Sequence, residues 1–369
     1  MKIVVTGTRG IPDILGGVET HCEELYPRLA QLGHDITIIR RSSYVTDNNK
    51  CHEYKGVRLL DIYAPKLKSV EAIIHTTLAV IKARGMHPDI LHIHSIGPSL
   101  LTPLARLMGM KVVTTNHGPD YDRQKWNRMA KMVLKAGEHM GARWSNAVIV
   151  ISGVIANILS TKYNRKDTHL IFNGVTAPEK SIQTDFLDSL GIIPGKYILT
   201  IGRFVKEKGF HDLIKAYTSI KYTGYQLVIA GDADHEDEYS RQLKHTAKEN
   251  GVILTGFIKG ERLNQVMSNA ALFVLPSYHE GLPIALLEAM SYNLDTAVSD
   301  IPANRIDALV PSDFFPVGDT QALASLIVKK LNDGATPRTY DLTPYNWDNI
   351  ARQTENVYRE VIGLSPVKK

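Results

Sequence analysis

The chain has 369 residues, of which 44% are hydrophobic and 22% charged, with a formal net charge of +5. These values are typical of a folded soluble protein, and the length suggests two domains of ordinary size. No apolar run reaches the length that spans a membrane, and the chain begins without a signal-peptide core, so we expect a cytoplasmic protein. The two cysteines, Cys22 and Cys51, lack CxxC spacing, which argues against a disulfide framework or a cysteine metal site.

Positive charge is concentrated in the first half of the chain. Residues 1–180 contain 24 Lys and Arg against 15 Asp and Glu, whereas the remaining residues contain 19 against 23. Such an asymmetry indicates an anionic partner for the first half. The candidates are a membrane face, a phosphorylated ligand or nucleic acid.

Short β-rich apolar runs alternate with helical stretches along the first half. Apolar residues recur at helical spacing from Val18 to Leu32, which predicts a helix from Gly17 to Leu32 packed on a sheet. The alternation predicts a parallel α/β sheet. The clearest predicted strands are 2–7, 35–40, 89–94, 111–116 and 147–152.

A break in the pattern follows residue 172. Asn173-Gly174 and Pro178 are turn signals, and the polar run after them is predicted to be a linker. The alternation of strands and helices then restarts. The predicted strands of the second half are 197–202, 225–231, 252–257, 272–276 and 295–300.

These patterns predict two doubly wound α/β domains in tandem, covering residues 1–178 and 190–345. Ligands of such sheets bind beyond the carboxyl ends of the strands, so we expect one deep cleft between two facing domains. A final amphipathic helix, at 347–363 within a segment of about 346–369, is predicted to fold back on the first domain.

The loop after the first predicted strand, Thr6 to Glu19, stands where a dinucleotide-binding protein would carry GxGxxG. It lacks that motif and ends in Gly16-Gly17, where the missing side chains would let backbone amides approach a ligand closely. The loop therefore weakens a nicotinamide-dehydrogenase interpretation. A merely permissive turn is the alternative.

Two cations follow the first strand of the second half. Arg203 and Lys208 share one strand-to-helix loop, and such a pair is well placed to hold a diphosphate. Downstream, Pro283 suits the first position of a helix that places Glu280 on the loop and Glu288 inside the helix. Together these features predict a diphosphate pocket.

Seven motifs follow one another along the chain: GGVE (16–19), TTNHGPD with His117, NGV (173–175), GRFVKEKG (202–209), GDADHEDEY (231–239), TGF (255–257) and EGLPIALLEAM (280–290). In this order they resemble the retaining glycosyltransferases of family 4, and the resemblance covers almost the whole chain. The most specific element is the pair Glu280 and Glu288, with seven residues between them. The resemblance implies a GT-B fold of two facing Rossmann-like domains.

The same resemblance implies roles for residues of the second half. Arg203 and Lys208 would hold the diphosphate of a nucleoside-diphosphate-sugar donor, with UDP favoured over GDP. Glu288 would accept hydrogen bonds from both ribose hydroxyls. Glu280 would face the donor sugar, with the amides of Gly281-Leu282 nearby.

In the first half, the resemblance implies that Gly16 and Gly17 approach the donor phosphates and that His117 lies by the outer hydroxyls of the sugar. One departure concerns Leu282-Pro283, where many relatives have Phe-Gly. Since proline has no N–H, an amide contact from position 283 is lost. The implied reaction is retaining transfer without a cofactor, by front-face attack, to a glycan or lipid-linked acceptor in surface-polysaccharide or lipopolysaccharide assembly.

Neither of two candidate metal patterns is convincing, and we expect a metal-independent enzyme. Asp232-Ala233-Asp234 matches a DxD motif but is followed by further acids, so a solvated loop is the preferred interpretation. His92 and His94 lie at strand ends without metal-ligand spacing, and packing is the default for both.

The basic surplus has one concentrated source on a predicted helix. Its apolar face is predicted to comprise Trp126, Met129, Ala130, Val133, Gly137 and Met140. Arg128, Lys131 and Lys135 share the opposite face, which, with Arg123 and Lys125, could touch anionic lipid at the inner face of the plasma membrane. An ordinary amphipathic helix docked on its domain is the alternative.

Other function classes stay open at this stage. A sugar-nucleotide epimerase could use the same two domains and hold the same diphosphate without an acceptor. A two-domain sugar-binding protein would also have paired α/β lobes, but the absence of an export signal and the placement of Arg203 and Lys208 argue against it. Nucleic-acid binding lacks a recognised reader motif.

Overall fold

The computed structural model describes residues 1–65, 71–122, 127–220, 223–233, 236–333 and 337–367. They form two compact units. The first comprises Met1–Gly174 with Pro344–Lys369, and the second comprises Val175–Thr343. Among the helices in these ranges, none is both long enough and apolar enough to cross a bilayer.

The first unit is built on an eight-stranded sheet in the order β3-β4-β2-β1-β5-β6-β7-β8. Neighbouring strands pair in parallel, except that β3 and β4 form an antiparallel hairpin. The strands are β1 (Lys2–Thr6), β2 (Asp35–Arg41), β3 (Glu53–Tyr54), β4 (Val57–Ile62), β5 (Ile90–His94), β6 (Val112–Asn116), β7 (Ala147–Val150) and β8 (Thr168–Leu170).

Helices of the first unit cover both faces of this sheet. They are α1 (Gly17–Gln31), α2 (Glu71–Met86), α3 (Thr102–Leu107), α4 (Arg128–Trp144) and α5 (Gly153–Tyr163). Side-chain caps fix some of their starts. The Asn127 side chain accepts a hydrogen bond from the Ala130 amide at 2.9 Å, which satisfies one of the amides left free at the beginning of α4.

The second unit has a six-stranded parallel sheet in the order β11-β10-β9-β12-β13-β14. Its strands are β9 (Tyr197–Ile201), β10 (Gln226–Ala230), β11 (Ile253–Gly256), β12 (Leu272–Leu275), β13 (Asp295–Ser299) and β14 (Phe314–Phe315). Its helices are α6 (Asp185–Ser189), α7 (Phe210–Ser219), α8 (Glu238–Glu249), α9 (Gly260–Ser268), α10 (Ile284–Ser291) and α11 (Thr320–Asn332).

The last helix, α12 (Trp347–Ile362), packs on α1 of the first unit. Its Trp347 is buried and lies so close to Gly174 that a Cβ there would fall 2.4 Å from the indole ring, which explains the glycine of the Asn-Gly turn. Successive side chains of β1 point to opposite faces of the sheet, as they do in any β-strand. Ile3 and Val5 pack in the core with α1 and α12, whereas Val4 packs in the core with α2 and α3.

All ten predicted strands are present, each with bounds within two residues of the prediction. The strands β3, β4, β8 and β14 have no counterpart among the predicted strands. On β4, Val57 and Leu59 are buried but the intervening Arg58 is exposed, since this strand lies near the sheet edge. Such partial patterns carry a weak sequence signal.

The predicted linker is tied to the second unit. The Ser181 amide donates to Asn264 Oδ1 at 3.2 Å and to Ser268 Oγ at 2.9 Å. Asn264 in turn donates from Nδ2 to the Glu179 carbonyl at 2.9 Å. The polar residues of this segment therefore serve to dock it on α9.

Candidate functional site

The strand order of the second unit reverses between β9 and β12. The chain runs outward from β9 through β10 to β11, and β12 then pairs with the other side of β9. Ligands of open parallel sheets bind beyond the carboxyl ends of the strands at such a point. Residues 202–209 follow β9 there, and residues 276–283 follow β12. These two loops carry most of the predicted site residues.

Lys208 and Glu280 bring the two loops together. Lys208 Nζ donates to Glu280 Oε1 at 2.6 Å, and Ser277 Oγ donates to the same oxygen at 2.6 Å. Both side chains of the ion pair are largely buried, with 18% and 11% exposed. Burial alone raises the pKa of Glu280, but the charge and hydrogen bond of Lys208 and the hydroxyl of Ser277 outweigh it and leave the pKa lowered. Glu280 is therefore an anion at neutral pH.

Two glycines allow the backbone around this pair to pack closely. Gly209, with φ 67°, lies where a Cβ would fall 2.1 Å from the Pro276 carbonyl oxygen. Gly231, with φ 131°, lies where a Cβ would fall 2.0 Å from the Gly202 carbonyl oxygen. A side chain at position 209 would therefore push apart the loops that carry Lys208 and Glu280, and one at position 231 would push the end of β10 away from the loop after β9.

Arg203 and Glu288 lie on the same two chain segments. Arg203 is half-buried on the loop after β9, and Glu288 is half-buried within α10. Burial raises the pKa of Tyr292 to about 12, and the negative charge of Glu288 contributes to this rise. Arg203 and Glu288 therefore lie on the segments that follow β9 and β12, and their grouping with Lys208 and Glu280 into one site stays a prediction.

The start of α10 differs by one residue from the prediction. Pro283 is the residue before the helix, with φ −76° and ψ 105°, and Ile284 is the first helical residue. The extended ψ places proline in the capping position, where its missing N–H also costs no helical hydrogen bond. Gly281 is partly exposed on the turn, and the Leu282 side chain is buried.

The first unit also has a reversal of strand order, between β1 and β5. The loop after β1 is fixed by Glu19, whose Oε1 accepts from Thr8 Oγ1 at 3.2 Å and from the Arg9 amide at 3.0 Å. Gly16, with φ 148°, lies where a Cβ would fall 2.1 Å from Glu19 Oε2, whereas Gly17 has open space around it. Gly16 is thus needed by the loop itself, and Gly17 leaves room for an approaching group.

A buried histidine cluster lies at the strand ends of the first unit. His94 Nδ1 is 2.9 Å from His117 Nε2, and the rings of His92 and His94 stack at 4.3 Å. The side chain of His21 approaches the same group from α1, and its Nδ1 lies 2.9 Å from Asn173 Oδ1. Tyr26 Oη contacts His92 Nδ1 at 3.0 Å and His94 Nε2 at 2.5 Å. His117 is therefore supported by a hydrogen-bonded network.

The histidines of this cluster are neutral at physiological pH. Burial lowers the pKa of His21 to about 4 and that of His92 to about 3, and the charge of a protonated His21 further lowers the pKa of His92. For His94 and His117, burial and the other histidines hold the pKa well below its usual value. The sequence gives little warning of the cluster, because its members come from α1, β5 and the loop after β6.

Neutral imidazoles can bind metal ions. Within the described chain, the three histidines His21, His94 and His117 offer ring nitrogens that all lie within 4.8 Å of one another. Asp232 of the DxD pattern joins no such group among the described residues. Asp232 pairs with Lys244 at 2.7 Å, both side chains being partly exposed, and Asp234 lies outside the described residues.

The predicted apolar face of α4 is only partly covered near the start of the helix. Met129 of the predicted apolar face is 71% exposed, whereas Ala130 and Val133 of the same face are half-buried, so the prediction fails at Met129. The buried residues are instead Gly137, Glu138, Gly141 and Ala142, further along the helix. Gly137 is required because a Cβ would fall 2.1 Å from the Ile96 carbonyl oxygen. Arg123, Lys125 and Trp126 lie outside the described residues.

Two family profiles match the chain in succession. The profile described as Glycosyltransferase Family 4 matches residues 15–177, and that described as Glycosyl transferases group 1 matches residues 187–347. The chain is a family 4 glycosyltransferase. The resemblance carried by the sequence motifs is therefore confirmed, and this glycosyltransferase uses a nucleotide-sugar donor.

Relatives of this glycosyltransferase match it along most of its length. An uncharacterised glycosyltransferase of Methanocaldococcus jannaschii is 25% identical over 97% of this chain and 98% of its own. The phosphatidylinositol N-acetylglucosaminyltransferase gpi3 subunit of Schizosaccharomyces pombe is 24% identical over 94% of this chain and 78% of its own.

Solved structures show the same fold. Sucrose-phosphate synthase from Thermosynechococcus elongatus has a TM-score of 0.81 and 22% identity, covering 98% of this glycosyltransferase and 99% of its own chain. HepE from Anabaena, solved in complex with UDP-glucose, has a TM-score of 0.74 and 16% identity, covering 98% of both chains. The predicted GT-B class of two Rossmann-like domains is thus confirmed.

Proposed function

We propose that this glycosyltransferase moves a sugar, with retention of anomeric configuration and without a metal ion, from a UDP-sugar to a hydroxyl of a glycan or lipid-linked saccharide. The observation that carries the proposal is the Lys208–Glu280 pair at the strand-order reversal of the second unit. This buried pair fixes the Lys208 ammonium at the carboxyl ends of parallel strands, where ligands of this fold bind.

Lys208 is suited to the leaving diphosphate. Breaking the bond between the anomeric carbon and the diphosphate develops negative charge on the leaving oxygen, and a preorganised cation stabilises that charge. The ammonium group has three donors, so Lys208 can keep its bond to Glu280 Oε1 and still donate to a phosphate. In this proposal Arg203 adds a second, planar contact to the diphosphate, and Glu288 accepts from the ribose hydroxyls.

Glu280 has two functions in the proposed reaction. It orients Lys208, and its negative charge faces the positive charge that builds on the sugar ring. The hydrogen bonds from Lys208 and Ser277 both end on Oε1. The acceptor hydroxyl then attacks from the face that the diphosphate leaves, and the departing phosphate oxygen takes its proton. The assignments of Gly16, Gly17 and His117 to the donor, and of the Gly281-Leu282 amides to its sugar, stay predictions.

The donor and the stereochemistry can be tested separately. A thermal-shift panel of UDP-glucose, UDP-galactose, UDP-N-acetylglucosamine and GDP-mannose should stabilise the wild type only with a UDP-sugar, and Lys208→Ala should lose most of that shift. An unchanged shift in Lys208→Ala would remove this residue from donor binding. Proton NMR of the glycoside formed from an α-linked donor should show an α product, and a β product would contradict retention.

The proposed setting is the assembly of a surface polysaccharide or lipopolysaccharide at the inner face of the plasma membrane. The basic surplus of the first half supports it, because a lipid-linked acceptor is presented at an anionic surface. The name of the yeast relative also refers to a lipid substrate, phosphatidylinositol. Extracted lipid-linked saccharides should accept the sugar, whereas transfer only to a small soluble sugar would contradict this setting.

A further inference from the structure

Three neighbouring helices of the first unit expose apolar side chains. The helix α3 contacts both α2 and α4, so the three lie side by side on the sheet face opposite α1 and α12. The inner side of α2 is buried, yet Ile74, Leu78 and Ile81, which share its outer side at helical spacing, are exposed. A helix that is apolar on both sides is normally covered on both.

The exposure continues on the next two helices. Leu107 at the end of α3 is 80% exposed, and on α4 Met129 and Met132 are 71% and 58% exposed. Single exposed apolar residues are normal, but a set spread over three adjoining helices marks an interaction surface. We call this outer side of α2, α3 and α4 the helical face.

All the charges exposed on these helices are positive. Glu71 and Glu138 are their two acids, and both are buried. Glu71 pairs with Arg41 at 3.5 Å, and Glu138 accepts from the hydroxyls of Tyr121 at 3.0 Å and Tyr163 at 2.9 Å. The basic residues of the three helices are Lys82, Arg84, Arg106, Arg128, Lys131, Lys135 and Arg143.

The chemistry of this surface identifies its occupant. A second copy of the chain would bring two basic faces together, which like-charge repulsion opposes. The core of a protein interface is usually depleted of lysine, whereas here lysines alternate with apolar side chains along α4. An anionic bilayer satisfies both features, because its headgroups attract the cations and its acyl boundary takes up the apolar side chains.

We propose that the helical face docks on an anionic lipid bilayer, with Met129 and Met132 entering the acyl boundary and the exposed Arg128 and Lys135 at its edge contacting the headgroups. This inference rests on the lipid-linked acceptor of the proposed function and names the surface that would bring the enzyme to it. Vesicle binding needs neither donor nor acceptor, so its outcome is separate from the outcome of the transfer assays.

Flotation of the full chain with vesicles tests the inference. The wild type should bind phosphatidylcholine vesicles containing phosphatidylglycerol and should bind pure phosphatidylcholine weakly, with binding that falls as salt rises. Arg128→Gln with Lys135→Gln should weaken binding about 30-fold, from roughly fivefold for each cation lost at an anionic surface. Lys215→Gln with Lys248→Gln, exposed cations of the second unit, is the matched control and should bind like the wild type.

The apolar contribution is tested at constant charge. Met129→Ser with Met132→Ser should weaken vesicle binding about tenfold, whereas the control pair Ile182→Ser with Ile193→Ser, exposed in the second unit, should not. Equal binding to both vesicle types, or an equal loss in the controls, would overturn the proposal. Sedimentation velocity tests whether a second copy of the chain occupies this face instead. If the wild type were a dimer and Met129→Ser with Met132→Ser made it a monomer, the face would be a contact between copies, and the membrane proposal would be overturned.

Discussion

Lys208 Nζ lies 2.6 Å from Glu280 Oε1, although 72 positions of sequence separate the two residues. The pair is largely buried, so replacing one partner leaves the other charge without its counterion. We therefore expect Glu280→Gln to lower the free energy of unfolding by about 2 kcal/mol and kcat/KM by at least about 100-fold. Urea unfolding and donor-consumption rates measure the two effects.

A second substitution separates charge burial from catalysis. Adding Lys208→Met to Glu280→Gln removes the unpaired cation, so the double variant should regain most of the lost stability while staying inactive. The matched control is the exposed pair Asp232 and Lys244, 2.7 Å apart, whose loss should cost less than about 1 kcal/mol. Recovery of activity in the double variant would show that the pair is only structural.

The same carboxylate predicts a dependence of stability on acid. The pKa of Glu280 in the folded state is below its usual 4.5, so its stabilising effect is complete above pH 4.5 and is lost as pH falls through the folded-state value. The stability difference between wild type and Glu280→Gln should therefore shrink between pH 5 and pH 3. A difference in the free energy of unfolding that stays constant over this range would contradict the assignment.

The sequence could predict features that depend on local patterns of residues, but not contacts between residues that are far apart in the chain. The loops that carry Lys208 and Glu280 follow strands with clear apolar patterns, so the sequence could predict their place at the carboxyl ends of a parallel sheet. The ion pair between them depends on the pairing of β9 with β12, which no local pattern records. The histidine cluster was missed for the same reason, since His21 and His94 come from distant elements.

Surface exposure was hard to predict for a related reason. A helical wheel gives the angular position of Met129 but not which neighbour covers it. In the structure, α4 approaches its domain through Gly137 and Gly141, whose missing side chains allow close contact, while Met129 and Met132 in the first turns stay exposed. Small residues at the contact therefore mattered more than the larger apolar ones.

The histidine cluster predicts a second loss of stability, at milder pH. His92 has a usual pKa of 6.5 that burial lowers to about 3 in the folded state. The contribution of neutral His92 to the free energy of unfolding is complete above pH 6.5. It falls as pH drops towards 3, because in this range only the unfolded chain binds a proton at His92. His92→Gln should therefore show a shallower fall in stability between pH 6.5 and 4.5, by up to about 1.4 kcal/mol per pH unit. The exposed His245→Gln is the control and should follow the wild type.

Gly209 allows the effect of a close backbone contact to be measured. Its φ is 67°, and a Cβ would fall 2.1 Å from the Pro276 oxygen, so Gly209→Ala should cost well over 2 kcal/mol and lower donor affinity. Gly224 has φ 77° and open space around it, so Gly224→Ala should cost only about 1 kcal/mol. Equal losses in urea unfolding would mean that backbone conformation, and not the contact with the β12 loop, sets the cost.

Chelation tests the proposed independence from metal ions. The proposed mechanism places Lys208 and Arg203 where a metal-dependent transferase would use a cation, so dialysis against EDTA should leave turnover unchanged. Added Mg²⁺ or Zn²⁺ should not raise it. The three histidines with nitrogens within 4.8 Å make a specific alternative testable. The metal-free mechanism would be wrong if EDTA abolished turnover, Zn²⁺ restored it and His21→Ala removed the response to Zn²⁺. A metal ion at the histidine cluster would then take part in the reaction, because neither chelation nor His21→Ala alters Lys208.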